Sequence, residues 1–379
     1  MNTLHKVLII GGGIAGMCAA IQLRKLGLHV ELVELDKEWR AQGAGITISG
    51  PTLRALREIG VVEEVMAAGA TWNGLTFNDA DGHLLREIAF PKAQGAEDLP
   101  GTGALMRPEL ARILGRATLA AGVQVRLGVT FDSIQACAEH VDLKFSDGSS
   151  GRYDLVIGAD GLMSKVRTAI FPGMAKPAYT GQGCWRAVLP RPKEIKQATM
   201  FLGARTKVGL NPVSANEVYL YFLDHRDSKD FIAPETWRAE LGALLSEFGG
   251  VVGELRDQIA SGAIADPAIM YRPLEAFIAP APWHNGRVVL IGDAVHATTP
   301  HLASGAGIAV EDAVVLAQEL AAGGTLDEAL HRFTARRYER CRLVIDNSVR
   351  LGEIEQTGGS REEHGKLMID SIVALAAPI

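Results

Sequence analysis

A glycine-rich turn between two apolar segments is the feature that most constrains the fold of this 379-residue chain. The run Val7-Leu8-Ile9-Ile10 leads into Gly11-Gly12-Gly13-Ile14-Ala15-Gly16, and a second apolar segment ends at Glu34. A short continuous apolar run is typical of a strand buried on both faces of a parallel sheet, and Gly27 marks the end of a helix that begins at Ile14. The sequence therefore predicts a strand, a turn, a helix and a second strand of an α/β fold.

Each residue of this turn has a predicted role in holding a dinucleotide. Gly11 makes the tight turn, Gly13 lets a pyrophosphate approach the backbone, and Gly16 lets the helix pack close to the strand. Ala15 lies in the first helical turn, whose free N–H groups attract phosphates. Glu34 stands about 20 residues further on, where a carboxylate accepts the hydroxyls of an adenosine ribose. The motif predicts dinucleotide binding without distinguishing FAD from NAD; the alternative is an ordinary glycine turn beside a solvated Glu34.

Composition narrows the class of ligand. The formal net charge is −6, and no basic run tracks a phosphate backbone, so we expect a small molecule rather than a nucleic acid as partner. No apolar run approaches the ~18 residues of a membrane-spanning helix. The four cysteines are scattered without a CxxC pair, which predicts reduced thiols and a cytoplasmic location.

The remaining pattern predicts a Rossmann-like parallel sheet, an antiparallel substrate-binding sheet and C-terminal helices. We assign residues 1–72, 101–177 and 274–323 to the nucleotide-binding domain, 73–100 and 178–273 to the antiparallel sheet, and 324–379 to the helical segment. Within the first part, the small-residue crossing around Gly45 lets a large planar ligand approach the backbone. Arg40 either faces the adenosine end or is a surface residue of a polar loop.

The last long helix is predicted from a capping box. Thr325 and Glu328 have the spacing in which each side chain bonds the backbone of the other. The helix that follows carries a basic face, which we expect to be solvated. Its members are Arg336, Arg337, Arg340 and Arg342.

Three motifs stand in one order along the chain: Gly11 to Gly16 with Glu34, then Gly158-Ala159-Asp160-Gly161-x-x-Ser164-x-x-Arg167, then Gly292-Asp293-Ala294 with Pro300. This order resembles the single-component FAD-dependent aromatic hydroxylases, the para-hydroxybenzoate hydroxylase-like flavoprotein monooxygenases. The likeness covers about Lys6 to Cys341. It implies that the single nucleotide fold holds FAD. Because no second strand–GxGxxG–helix unit follows, NAD(P)H is expected as a transient co-substrate.

The resemblance also implies roles for individual residues. Asp160 is expected where the flavin meets the reduced nicotinamide, and Asp293 at the ribityl or pyrophosphate part of FAD. Arg107 is expected to contact the cofactor, and the backbone of Val129 to meet the adenine. Pro300 is expected beside the reacting centre.

The chain departs from the family after that proline. The hydroxylases usually read Gly-Gln-Gly there, whereas this chain reads Ala303-Ser304-Gly305-Ala306-Gly307. A helix N-terminus at Gly305, Ala306 and Gly307 still places N–H groups and a positive dipole end against the flavin N1 and C2 oxygen.

The activity that the resemblance implies is hydroxylation of a small aromatic or N-heteroaromatic substrate by NAD(P)H and O2, through a flavin C4a-hydroperoxide. Lys207 and Tyr219 lie near positions where urate-hydroxylating relatives carry an arginine and a tyrosine. Lys207 is expected to hold an anionic substrate oxygen, and Tyr219 to donate to it or relay its proton. Arg186 and Tyr221 are further candidates for substrate binding, with His301 as a lesser one.

Several alternatives remain open at this stage. The chain is either a hydroxylase, a flavin oxidase or reductase on the same scaffold, or a non-catalytic dinucleotide-binding protein. The substrate is a hydroxybenzoate, a hydroxypyridine, a quinolone or another fused heteroaromatic, and the sequence does not separate NADH from NADPH. The histidines near Pro300 lack metal-ligand spacing, so we predict no metal. We expect a monomer or a homodimer.

Overall fold

The computed structural model describes residues 4–41, 43–204, 206–264 and 268–379. The helices in this part of the chain are α1 Ile14–Lys25, α2 Gly50–Ile59, α3 Val62–Ala68, α4 Arg107–Ala120, α5 Lys165–Ile170, α6 Trp237–Leu244, α7 Gly250–Ala260, α8 Gly305–Ala321, α9 Leu326–Thr357 and α10 Arg361–Ala376.

The strands alternate with these helices in the first part of the chain and then run consecutively. They are β1 Lys6–Ile10, β2 His29–Glu34, β3 Gly45–Ser49, β4 Ala70–Trp72, β5 Gly74–Asp79, β6 Leu84–Ala89, β7 Thr102–Met106, β8 Gln124–Leu127, β9 Phe131–Ala136, β10 Val141–Phe145, β11 Ser150–Tyr153, β12 Leu155–Gly158, β13 Ala178–Pro190, β14 Ala198–Leu202, β15 Lys207–Pro212, β16 Glu217–His225, β17 Ile269–Ile278, β18 His284–Asn285, β19 Val288–Leu290 and β20 His296–Ala297.

The first sheet is the parallel sheet that the glycine turn predicts. Its strand order is β18-β19-β12-β1-β2-β8, parallel from β19 to β8, with β18 antiparallel at the edge. Helix α1 packs against α8 and also contacts β1 of this sheet, and β11 contacts β1 as well. The run 7–10 is fully buried, as expected for a strand covered on both faces. The carboxyl ends of β1 and β12 meet at one edge and place Gly11 next to Ala159.

The second sheet is large and mainly antiparallel. Its strand order is β20-β17-β13-β16-β15-β14-β5-β6, and only β14 and β5 run parallel. One face packs Trp185, Val208 and Phe222 with residues of α6 and α7 in a separate apolar core. Since side chains alternate across a strand, Tyr219, Tyr221 and Arg186 lie on the other face. The predicted helical insert is present as α6, whereas α7 was not predicted.

Two small sheets complete the architecture. The order β3-β7-β4 joins the crossing at Gly45 to the helix that begins at Arg107, and β11-β10-β9 forms a separate antiparallel sheet. The proposed division of the chain into three parts stays a prediction.

The predicted capping box is present at the start of α9. Thr325 N–H donates to Glu328 Oε2 at 2.8 Å, and Glu328 N–H donates to Thr325 Oγ1 at 3.2 Å. These two bonds satisfy backbone donors that the first helical turn leaves unpaired.

The prediction of a solvated basic face on α9 is wrong for two of its four arginines, Arg337 and Arg340. The Arg337 side chain is completely buried, with Nε 2.9 Å from Asp312 Oδ1 and Nη1 2.8 Å from Glu311 Oε2. Arg340 pairs with the same Glu311 at 2.8 Å, and its side chain is only 12% exposed. The acidic residues lie on α8, so these arginines join the two helices. The other two members of the predicted solvated set, Arg336 and Arg342, are exposed, and they pair with Glu319 and Glu339 respectively.

Within the described residues, no helix is both long and apolar enough to cross a membrane. Cys18, Cys184 and Cys341 are buried free thiols, whereas Cys137 is half-buried.

Candidate active site

The glycine turn leaves open space at one residue and none at two others. A Cβ on Gly11, whose φ is +109°, would lie 2.3 Å from the Ala159 carbonyl oxygen, and one on Gly16 would lie 2.0 Å from the Gly11 oxygen. A Cβ on Gly13 would meet nothing within 4 Å. Gly11 and Gly16 are therefore required by the fold itself, whereas Gly13 keeps free a space beside the N-terminus of α1.

Glu34 closes the other side of this space. Its carboxylate accepts hydrogen bonds from Gly12 N at 2.7 Å and from Asp36 N at 2.8 Å. The backbone N–H of Val129 donates to the Glu34 carbonyl at 3.0 Å, so the residue expected at the adenine lies beside the residue expected at the ribose. Arg40 is mostly exposed and pairs with Asp36 at 3.2 Å.

Trp39 was missed by the sequence reasoning. It has a left-handed backbone, with φ +50°, and its Nε1–H donates to the Gly12 carbonyl at 2.8 Å. Its ring stands beside Gly115 of α4. The sequence offered one signal for this contact: Trp39 stands shortly before the small-residue crossing at Gly45, and a buried Trp N–H normally finds an acceptor.

Asp293 and Arg107 lie close enough for the charge of each to influence the pKa of the other. The Asp293 side chain is accessible from the cleft, yet the surrounding protein raises its pKa, an effect that His296 and Arg107 oppose. Burial lowers the pKa of Arg107, with Asp293 opposing the shift and Arg186 adding to it. The Arg107 side chain lies across Gly43, where an added Cβ would come within 2.7 Å of its Cδ.

The loop that carries Asp293 is held from beneath. Asp312 Oδ2 accepts from Gly292 N at 2.9 Å and lies 2.5 Å from His296 Nε2. Although burial opposes it, the carboxylate of Asp312 raises the pKa of His296 well above its ordinary value. The charged network of Asp312, His296 and Arg337 therefore fixes the position of the Asp293 backbone.

Asp160 caps a helix in this structure. Its carboxylate accepts from Ser164 Oγ at 2.5 Å and from the backbone N–H groups of Lys165 and Val166 at 2.7 and 3.0 Å. Arg167, in the same motif, donates to the Ala294 carbonyl at 2.7 Å. The second and third motifs of the sequence are thus joined directly, and the expected contact of Asp160 with nicotinamide stays a prediction.

Helix α8 begins without a side-chain cap beside Pro300. Ala303 is left-handed, with φ +48°, and Ser304 Oγ donates to the Leu302 carbonyl instead of capping the helix. The first N–H groups of the helix, at Gly305 to Gly307, have no intrahelical partner. Gly307 packs on α2, where an added Cβ would lie 2.2 Å from Thr52 Oγ1.

These features fit FAD. Two helix N-termini without side-chain caps, those of α1 and α8, border the open space at Gly13 and the loop of Asp293. Glu34 stands where a ribose would end, and Arg107 supplies a cation in the same cleft. Around Gly13 and Glu34 the structure adds Trp39 and Gly12 to the residues that the sequence indicated, and the contacts of all of them with a dinucleotide stay predictions.

Tyr219 forms the junction between the cleft and the antiparallel sheet. A Cβ on Gly45 would lie 2.3 Å from Tyr219 Cδ1, so the ring packs directly on the backbone of β3. The Tyr219 hydroxyl is 3.1 Å from Thr47 Oγ1, which also accepts from Asn211 Nδ2 at 2.9 Å. Burial raises the pKa of Tyr219, and the charge of Arg186 opposes this shift. Tyr219 is therefore a neutral hydroxyl at pH 7.

Arg186 is a half-buried cation without a partner. Across the described ranges, its guanidinium makes no hydrogen bond and no ion pair. It is close enough to Tyr219 and Arg107 to influence the pKa of both. Tyr221 lies on the same face, with its ring across Gly209 and 5.5 Å from the Tyr219 ring, centroid to centroid. Arg186 is thus available to an anionic or carbonyl oxygen between the two parts of the site.

Lys207 is already paired. Its Nζ contacts Glu355 Oε1 directly, and the two side chains are 21% and 17% exposed. Asn211 faces Tyr219 across β15 and β16, and Lys207 lies four residues earlier, roughly 13 Å along the strand. The structure therefore does not bring Lys207 and Tyr219 to one substrate oxygen, and the two mark opposite ends of the sheet face.

His301 and His364 belong to the same group of contacts. His301 Nε2 lies 3.4 Å from Glu355 Oε2, and His364 Nε2 lies 2.8 Å from Glu355 Oε1. His301 Nδ1 is hydrogen-bonded to Thr299 Oγ1 at 2.9 Å, immediately before Pro300. We call Lys207, His301, Glu355 and His364 the Glu355 cluster.

Part of this face is apolar. Tyr219 packs in one cluster with the buried side chains of Phe77 and Met200 and the partly buried ones of Leu202 and Met368. Met368 lies on α10, so the C-terminal helix contributes to the wall. An apolar wall of this kind excludes water from the reacting atoms.

Comparison with known proteins also indicates an FAD-binding protein. Residues 5–348 match the family described as FAD binding domain. The putative FAD-dependent monooxygenase YetM of Bacillus subtilis is 32% identical over 346 residues, covering 91% of this chain and 92% of that protein. The 2-heptyl-3-hydroxy-4(1H)-quinolone synthase of Pseudomonas aeruginosa is 32% identical over 360 residues, covering 92% and 89%.

A solved structure shares the fold. Klebsiella pneumoniae HpxO, crystallised with FAD and uric acid, superposes with a TM-score of 0.84 at 24% identity, covering 98% of this chain and 97% of that chain.

Proposed function

The chain belongs to the FAD-binding domain family, and on that premise we propose that it is an FAD-dependent monooxygenase that uses NAD(P)H and O2 to hydroxylate a fused N-heteroaromatic compound that is neutral before it binds. The observation that carries the choice of substrate is the charge distribution on the pocket face. Among the residues that the structure describes on this face, Arg186 is a cation without a partner, Lys207 is neutralised by Glu355, and Tyr219 and the surrounding wall are uncharged or apolar.

The residues of the chain divide the work as follows. When bound, FAD would supply the reaction with O2, from which the transferred oxygen atom comes, at the expense of NAD(P)H. Arg186 would hold the substrate's carbonyl oxygen and, by stabilising negative charge on it, would favour the deprotonated form of the substrate, whose ring is the better electron donor. Tyr219, fixed by Thr47, would orient that oxygen through a hydrogen bond. The apolar wall of Phe77 and Met200 would keep water out.

The cofactor side follows from the cleft. The N-termini of α1 and α8 would hold the pyrophosphate and the negative pole of the isoalloxazine, respectively, and Glu34 the adenosine ribose. Asp293 and Arg107 would bind the linking part of the dinucleotide. NAD(P)H would visit without a resident domain, because the sequence has one GxGxxG unit.

The similarity to relatives supports this choice. The quinolone synthase is named for a fused heteroaromatic product and is 32% identical to this chain. A ring nitrogen and a carbonyl on one bicyclic frame match a pocket whose described residues include the unpartnered cation Arg186 and two tyrosines. We also propose a cytoplasmic location, which the free thiols support, and an assembly no larger than a homodimer.

The test is made on the purified protein reconstituted with FAD. NADH and NADPH oxidation and O2 uptake are followed across 4-quinolones, hydroxypyridines and hydroxybenzoates. Oxidation that rises with a 4-quinolone, and a product heavier by one oxygen atom, is the expected result. Consumption of NAD(P)H that yields only hydrogen peroxide with every compound would favour the oxidase alternative. Failure to bind FAD would overturn the assignment altogether.

A further inference from the structure

We propose that Glu355 sets the charge preference of the substrate pocket: by neutralising Lys207 it selects neutral heteroaromatic substrates over anionic ones. This inference rests on the proposed function and names a determinant of its specificity. Glu355 acts through Lys207, so it is a positioning residue rather than a catalytic one.

The carboxylate of Glu355 is held by contacts on the side of α9 that faces the pocket. Glu355 lies near the C-terminal end of that helix, and its oxygens contact groups from the antiparallel sheet, from the segment after Pro300 and from α10. Lys207 of β15 and His364 of α10 reach Oε1, while His301 and Gln182 Nε2 lie 3.4 Å from Oε2. A carboxylate held from several directions has one fixed position.

The ion pair of Lys207 and Glu355 carries no net charge. Although burial alone would raise the pKa of Glu355, the charge of Lys207 and the neighbouring His301 and His364 lower it far below its ordinary value. Burial lowers the pKa of His301, which is therefore neutral at pH 7. The ammonium of Lys207 and the carboxylate of Glu355 then cancel, so this end of the pocket offers an anion no net attraction.

Removal of the carboxylate should expose the cation. In Glu355→Gln, the amide preserves size and part of the hydrogen bonding, but the charge of Lys207 is no longer balanced. Two probes that differ by one charge measure the effect: 4(1H)-quinolone, which is neutral, and kynurenate, the same ring with a 2-carboxylate. Their dissociation constants are measured by calorimetry on the FAD-loaded protein, without turnover.

The expected result is that Glu355→Gln shifts the affinity ratio toward kynurenate by about tenfold or more, equivalent to roughly 1.4 kcal/mol. The matched control is Glu353→Gln on the same helix, where the carboxylate is half exposed and pairs with Arg350 at 3.2 Å. This control should leave the ratio unchanged. A merely structural role of Glu355 would weaken both ligands together.

A second variant keeps the inference testable if Glu355→Gln does not fold. Lys207→Met/Glu355→Leu removes both charges and leaves an apolar pair. The affinity ratio of the two probes should therefore stay within about twofold of the wild-type ratio, well short of the tenfold shift expected for Glu355→Gln. A selective loss of kynurenate in this double variant would overturn the inference, because Lys207 would then act as a free cation. An unchanged ratio in folded Glu355→Gln would also overturn it. If the wild type binds neither probe and oxygenates no compound of the panel, the proposed function itself fails.

Discussion

The buried network between α8 and α9 allows a stability prediction with an internal control. Arg337 is completely buried and contacts Asp312 and Glu311, and its Nη2 donates to the Ile308 carbonyl at 3.0 Å. Arg337→Met keeps the length and helix propensity of the side chain but leaves two buried carboxylates without this partner. Breaking a buried ion pair by removal of one partner costs about 3–5 kcal/mol.

This cost translates into a measurable shift of the melting temperature. Unfolding entropy of roughly 2.1 cal/mol/K per residue gives about 0.8 kcal/mol/K for this chain, so a loss of about 4 kcal/mol lowers Tm by roughly 5 °C. Circular dichroism and flavin release on heating are the two readouts. The second should respond as well, because Asp312 holds Gly292 and thereby the loop of Asp293.

The control is Arg342→Met, on the same helix. Arg342 is half exposed and pairs with Glu339 at 2.6 Å. Its replacement should leave Tm unchanged, since solvent screens exposed pairs. Equal shifts in the two variants, or a stable Arg337→Met that keeps FAD, would refute the argument that burial decides the value of these ion pairs.

Three further predictions follow from the site. Gly13→Ala should leave the melting temperature of the FAD-free protein unchanged, because its Cβ meets only open space, and should abolish FAD binding, because that space is where the pyrophosphate would lie. Gly11→Ala should destabilise the FAD-free protein, because its Cβ would contact a backbone oxygen. A calorimetric FAD titration and a thermal melt distinguish the two variants. Arg186→Met should bind FAD normally but lose about a hundredfold in kcat/KM, the size of one lost charge-stabilising contact; unchanged steady-state kinetics would remove Arg186 from the mechanism. Asp312 raises the pKa of His296 in the folded state, so protonated His296 stabilises the fold fully below the unfolded pKa of about 6.5, and this contribution is lost as pH rises through the folded pKa. The free energy of unfolding in urea, measured between about pH 6 and 9, should therefore decline in the wild type and change less in His296→Gln.

Local chemistry made the nucleotide cleft predictable. The turn from Gly11 to Gly16 and the carboxylate of Glu34 lie within one βαβ unit, where spacing alone fixes which residues meet. The Gly12–Glu34 hydrogen bond follows from the same geometry. Trp39 was overlooked because its role depends on a left-handed backbone, which its residue type disfavours.

Contacts between distant segments were not predictable. The arginines of α9 repeat at helical spacing as solvated ones do, and only the position of Glu311 and Asp312 on α8 shows that Arg337 is buried. Lys207 meets a carboxylate 148 residues away, so its strand pattern gave no sign of a partner. Strand alternation places Arg186, Lys207, Tyr219 and Tyr221 on one sheet face, and their roles stay predictions. The pairing of Lys207 with Glu355 depends on the packing of α9 and α10, which the sequence does not show.

Trp39 has a practical consequence. Its indole donates to the Gly12 carbonyl at the mouth of the glycine turn, beside the carboxylate expected at the adenosine ribose. Loading of the dinucleotide should alter the surroundings of this ring, so the intrinsic fluorescence of the protein carries a signal of cofactor occupancy. Emission spectra of Trp39→Phe would supply the background from the other tryptophans. The chain thus contains its own optical sensor for the exchange of the cofactor, with no label attached.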